Sequence, residues 1–291
     1  MSKEDTETTP LIFTRYLYSK DEVYRSLLIA LLDRKYDESL FWAYELYYSG
    51  FKSEVFEYIS NIYEEFYLIA NPTLSLFIQE SFDKWTANPS EDWHIGSIVA
   101  TLCMRNYNVN VFLEHYCNVK CLPKHLEKTS EKSMIVRFKE ANIEKYKTKI
   151  PTPEKTRFYL PEVCQYSIHK EVNNLFQTPE IDIRDKYRMH WLYYAARSPV
   201  WEDRLVEFDA IVNDEDEEIE FDNDDIQDAF YDKWGIEPDE QKIEVQEKSI
   251  GTGKEVQLSI KDFCEKYGSQ LITKTVKIKI NKPLTNSLVC T

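Results

Sequence analysis

Chemistry-bearing residue types gather at four places in the chain. Gly251-Thr252-Gly253-Lys254 ends as a phosphate-binding loop ends, in Gly-Lys. Such a loop also needs a glycine five residues before that pair and Ser or Thr after the lysine. Lys248 and Glu255 hold those positions, so the string reads as a turn between two alternating segments. The densest metal-ligand types are His115, Cys117, Cys121 and His125, with Cys103 upstream. Zinc takes thiolate and imidazole in tetrahedral sets. Steps of four put Cys117 and Cys121 on one helical face, but no C-x-x-C knuckle is present and Pro123 interrupts the approach to His125. The expectation is buried free cysteines beside surface histidines, with no metal site.

The third place is acidic, DEDEEIEFDNDD over residues 214–225. A helix-loop-helix calcium site wants glycine at its sixth position, and counting from Asp214 or Asp222 gives Ile219 or Gln227. The segment is expected to be solvated and to dock on a basic surface through Asp214, Glu215, Asp216, Glu217, Glu218, Asp222, Asp224 and Asp225. That surface belongs either to a partner or to the chain's own residues 120–170. The fourth place is basic: Lys139, Lys145, Lys147, Lys149 and Arg157 alternate with Phe138, Tyr146, Phe158 and Tyr159, as on a single-strand nucleic-acid surface. Six acids share residues 120–170, so nucleic acid ranks behind protein as a partner. No G-x-S-x-G or H-E-x-x-H occurs, and five histidines (His94, His115, His125, His169, His190) stand dispersed. No catalytic or cofactor-binding residue is assigned, and the chain is expected not to be an enzyme.

The elements that must position these residues are mostly helices. Glycine is scarce, 6 in 291 residues, and none falls between Ser97 and Trp234; a doubly wound nucleotide-binding sheet there is excluded. Ser19 with Glu22 forms an S-x-x-E capping box before Val23, Leu27, Leu28, Leu31 and Leu32. Asp37 opens a second helix through Leu40, Phe41, Tyr44, Tyr47 and Tyr48, stopped by Gly50, and Ser53 a third that Asn71-Pro72 ends. Further helices are expected over 73–85, from Pro89 to Leu102 and over 111–119, with the aromatic stripe FWAYELYYSGF in the core. Short loops imply antiparallel neighbours. Beyond this array, helices are predicted weakly over 134–146, then over 183–197, 200–208 (behind Ser198-Pro199), 225–234 and 261–267. Ile243 and Val245, then Val256, Leu258 and Ile260, alternate around the Gly251–Gly253 turn and predict a hairpin; Val276, Ile278 and Ile280 predict a strand.

Charge is distributed in blocks. The total is −15, but residues 202–247 carry 20 acids against 3 bases and residues 120–170 carry 12 bases against 6 acids. The predicted fold is mainly α, an antiparallel helical array with a small C-terminal α+β element. Its divisions are a flexible N-terminus (1–18), a helical domain (19–119), a basic, proline-containing connector (120–161), a second helical region with the acidic segment (162–241) and the α+β element (242–291). The polar start MSKEDTETTP lacks an apolar signal region, no run of eighteen apolar residues occurs, and six cysteines are too sparse for a disulfide framework. A protein that is not secreted and has no membrane partner is expected, in a reducing compartment.

Two resemblances add to this reading. From Ser26 to Tyr67, LLIALLDRKYDESLFWAYELYYSGF, the helix ending EEFY and the following Asn71-Pro72 resemble the helical oligomerisation domain of clamp-loader-related AAA ATPases. The likeness covers about 80 residues (20–100) and lacks the ATPase module, so ATP hydrolysis does not carry over. The whole chain, with SPVWEDRL and the IEPDEQ segment after FYDKWG, resembles uncharacterised proteins of giant nucleocytoplasmic large DNA viruses. That likeness implies a place in the virion or in the cytoplasm or nucleus of a host cell. The expected function is a non-catalytic structural or protein-protein interaction component, binding a protein partner or its own copies through a helical scaffold and the acidic segment. The alternative is an accessory factor of DNA replication or repair.

Overall fold

The computed structural model describes residues 10–123, 134–147, 156, 158–178 and 181–272. It opens with five helices: α1 (Lys20–Leu32), α2 (Tyr36–Tyr48), α3 (Lys52–Ile62), α4 (Leu74–Ala87) and α5 (Trp93–Cys103). α3 continues into a π-helical turn, Tyr63–Tyr67. α2 packs against both α1 and α5, so Phe41, Trp42, Tyr44 and Tyr47 are buried as the pattern predicts. α1 begins after Ser19 as predicted, yet the Ser19 side chain makes no cap bond, and Glu22 turns instead toward Asn173 and Arg25. Gly50 ends α2 in the left-handed region at φ 101°, where a Cβ would also overlap the Pro199 ring. Glycine is needed there on both counts.

The chain continues through α6 (Asn110–His115), β1 (Cys121–Pro123), α7 (Glu140–Ile143), α8 (Tyr159–Val163), α9 (Arg184–Met189), α10 (Trp191–Ala195) and α11 (Pro199–Val206). It closes with β2 (Ile211–Asn213), β3 (Glu218–Glu220), α12 (Asp224–Trp234), α13 (Ile243–Ile250), α14 (Ile260–Lys266) and β4 (Ser269–Leu271). β1 pairs antiparallel with β4, Cys121 opposite Leu271, and β2 with β3, Ile211 opposite Glu220. The fold is mainly α with a small β component, as expected.

Three expectations change. The segment 243–260 is not a hairpin. Val245, Gln246, Ser249 and Ile250 are the buried residues of α13, a helical spacing that outweighs the two-position alternation of Ile243 and Val245. Val256 stands exposed in irregular chain. The helix α14 takes the capping box that Ser19 lacks, from Ser259 and Asp262. The predicted strand 276–280 lies outside the described residues.

Residues 10–18, expected within a flexible terminus, enter the core instead. Phe13, Leu17 and Tyr18 are fully buried, and the Arg15 Nε donates to Glu45 Oε2 at 2.8 Å inside α2. The described part of the connector is a strap across the array. Phe138 N donates to Ser97 Oγ at 2.9 Å, Tyr146 stacks on Tyr44 at 5.0 Å, and Arg15 Nη2 donates to Tyr146 O. One apolar cluster accordingly runs from Phe13 to Tyr267 without a break at the predicted boundaries.

Candidate functional site

The acidic segment is a built hairpin. Asn213 accepts the N–H groups of Glu215 (3.0 Å) and Asp216 (3.2 Å) on its side-chain oxygen, an Asx turn that reverses the chain between β2 and β3. Glu217 completes the turn at φ 56°. β3 packs on α10, and the turn is tied down by Tyr193 Oη donating to Asp214 Oδ1 (2.8 Å) and by a 3.1 Å bond between His190 Nδ1 and Glu217 O. Asn223 then caps α12 by accepting from Ile226 N, with Asp224 and Asp225 in the first turn, where the helix dipole favours them.

Asp214, Glu215, Asp216, Glu218, Asp222, Asp224 and Asp225 are exposed and Glu217 half-buried. Among the described residues, the one cation within 4 Å of a turn carboxylate is Arg197, 3.5 Å from Asp214. Ile211 and Val212 are exposed on β2 beside this negative edge. The local signal was an Asn-Asp turn between IV and EIE, hidden by the run of acids.

Glu217 and Arg197 also border a cavity of about 950 Å³. Its walls are Leu11 and Ile12, α1, residues 170–174, α9 and the Gly251–Gly253 turn. Thus the Gly-Thr-Gly-Lys string closes α13 and edges a cavity; it is not the turn of a hairpin. Glu22 anchors one wall. Its Oε1 accepts from Asn173 Nδ2 at 2.9 Å, and its Oε2 lies 3.6 Å from Arg25 Nη1. Burial pushes the Glu22 carboxyl up, against the opposing pull of Arg25 and Lys170. Among the described residues Lys170 has no ion pair, while Lys186 lies over the Tyr194 ring at 4.9 Å. The cavity is therefore lined by both signs of charge.

The basic block does not meet the acidic hairpin through its described lysines. Lys145 pairs with Asp37 at 2.7 Å and Lys147 with Glu144 at 3.0 Å, while Lys139 is exposed. Lys149 and Arg157 lie outside the described residues. Phe138, Tyr146 and Tyr159 are buried and Phe158 is exposed, so the expected row of stacking rings is not on the surface. The sequence cluster of metal-ligand types is scattered as well. His115 approaches Glu65, Cys103 is buried elsewhere, and Cys121 lies 4.0 Å from Cys264, a neighbour that no local spacing announces. His125 lies outside the described residues, among which no group of three ligand types converges. His169 is the histidine set most firmly, between Glu38 (2.7 Å) and Glu171 (2.8 Å).

Fold and site together define a helical protein with an acidic hairpin at the rim of a mixed-charge cavity. Comparison with protein-family models, curated proteins and solved structures gives no match. No helix among the described residues is long and apolar enough to cross a membrane.

Proposed function

We propose that the chain is a non-catalytic interaction component that receives a basic, partly apolar segment of a protein partner on the acidic hairpin and along the adjoining cavity. One observation carries this reading: the hairpin presents exposed carboxylates, with Arg197 the one cation among the described residues within 4 Å of its turn, beside exposed Ile211 and Val212. Opposite charge steers such a partner and fixes its register, and the aliphatic pair supplies contact area. With the resemblance to giant-virus proteins, the partner would belong to a viral assembly. The replication-accessory reading loses the support that the interleaved aromatics had given it, since three of the four are core residues.

A panel of labelled peptides tests the proposal by fluorescence anisotropy. Peptides alternating Lys or Arg with aliphatic residues should bind, weaken as salt rises, and bind at least tenfold less well to a Glu215→Lys, Asp216→Lys variant. Equal binding to that variant, or binding insensitive to salt, would overturn it.

A further inference from the structure

The sulfurs of Cys121 and Cys264 lie 4.0 Å apart, although 143 positions separate them in the sequence. Cys121 opens β1, and Cys264 sits in α14 just before the chain bends at Tyr267-Gly268 into β4. β4 then pairs with β1, so the two thiols meet where α14 and β4 return to that strand. Groups other than sulfur hold the corner together. Phe263 packs on Phe112 of α6 at 5.7 Å, Ser269 Oγ donates to Asn110 Oδ1 at 2.8 Å, and Tyr267 Oη donates to Asp33 Oδ1 at 3.0 Å, at the end of α1. The pair is thus positioned without a bond between its sulfurs, which need to close by only about 2 Å to make one.

This arrangement sets the pair apart from the other buried thiols. Cys103 and Cys164 are also buried, but their sulfurs face the hydroxyls of Ser39 and Ser249, which cannot form a disulfide. Cys117, half-buried and four residues before Cys121, is the competing thiol. Access differs within the pair as well. Cys121 is 6% exposed on a strand whose next residue, Leu122, is exposed, whereas Cys264 is 1% exposed. Burial, with Cys121 beside it, pushes the Cys264 thiol up. Cys121 therefore meets an oxidant first, and Cys264 answers from inside.

We infer that Cys121 and Cys264 are a reversible redox pair whose disulfide, formed by peroxide, clamps α14 and β4 onto the helical array. The Cys121 sulfur attacks one oxygen of hydrogen peroxide. An S–O bond forms, the O–O bond breaks, and the second oxygen leaves as water with the thiol proton. The Cys264 sulfur then attacks the sulfenic sulfur of Cys121. The S–S bond forms, the S–O bond breaks, and the hydroxyl leaves with the Cys264 proton as a second water. The two thiols are oxidised and the peroxide is reduced; exchange with a dithiol such as dithiothreitol reverses the bond. The bond closes a long loop, where a crosslink restricts the unfolded chain most. The inference stands apart from the hairpin and does not require it.

The test treats the reduced, intact protein with hydrogen peroxide under native conditions, alkylates it in denaturant, and maps its peptides by mass spectrometry without reductant. The Cys121 and Cys264 peptides should appear joined roughly tenfold faster than free Cys103 or Cys164 is lost, and dithiothreitol should separate them. The oxidised protein should melt about 5 °C higher than the reduced one. Cys264→Ala should abolish that rise and leave Cys121 as a sulfenic acid that dimedone traps. Cys121 and Cys264 both remaining alkylatable, Cys121 joined to Cys117 instead, or an oxidised protein that melts no higher than the reduced one would each overturn the inference.

Discussion

His169 should make stability fall with rising pH in a range where few side chains titrate. Its Nε2 lies 2.7 Å from Glu38 Oε1 and its Nδ1 2.8 Å from Glu171 Oε1, and both nitrogens can donate only in the imidazolium form. Burial by itself would lower the pKa. The hydrogen bonds and charges of Glu171 and Glu38 outweigh it and push the group up to about 9 from an ordinary 6.5. That rise corresponds to about 3 kcal/mol of folding free energy. Because the folded value lies above the unfolded one, the stabilisation is complete below pH 6.5 and is lost as pH rises through 9. Urea unfolding of wild type and His169→Gln at pH 6 and at pH 9.5 measures it. Glutamine cannot carry the charge, so the gap between the two proteins should narrow by about 3 kcal/mol across that interval. Burial pushes Cys164 and Cys264 up to about 12, so unfolded thiols ionise first and destabilise both proteins in alkali equally; the difference between the proteins removes this. Parallel pH curves would refute the assignment of His169 as a buried imidazolium.

Two further predictions concern the frame. Glu45→Ala leaves the Arg15 guanidinium buried without its carboxylate and should cost about 3–5 kcal/mol in urea unfolding, whereas the double variant Arg15→Met, Glu45→Leu should recover most of it; equal losses for the single and double variants would contradict this. Gly50→Ala forces a side chain into the left-handed region and against Pro199, and should lower stability by about 1–3 kcal/mol in thermal melts; an unchanged melting temperature would count against the described junction of α2 and α11.

Much of the helical array could be read in advance because its signals are local. Leu27 to Leu32 repeat at helical spacing, Gly50 stops α2, and Ser198-Pro199 opens α11, each within a few residues of the boundary it sets. The misses share a different cause. Ile243 and Val245 alternate over too few positions to outvote the burial of Gln246 and Ser249, which only the packed chain reveals. The strap of Phe138 and Tyr146 resembled a nucleic-acid platform because sequence shows rings and lysines together without showing that Ser97 and Tyr44 claim the rings. The acidic segment was legible as charge. Its hairpin was not, because Asn213 fixes the turn with a side-chain oxygen that composition does not distinguish from its acidic neighbours.

The most direct test of the docking role is zero-length carbodiimide crosslinking in the native source, with the joined peptides identified by mass spectrometry. Crosslinks from Glu215, Asp216 or Glu218 to lysines of a second protein, lost when salt is raised, are the predicted result. Hairpin carboxylates joined only to lysines of this chain, or to no protein at all, would contradict it.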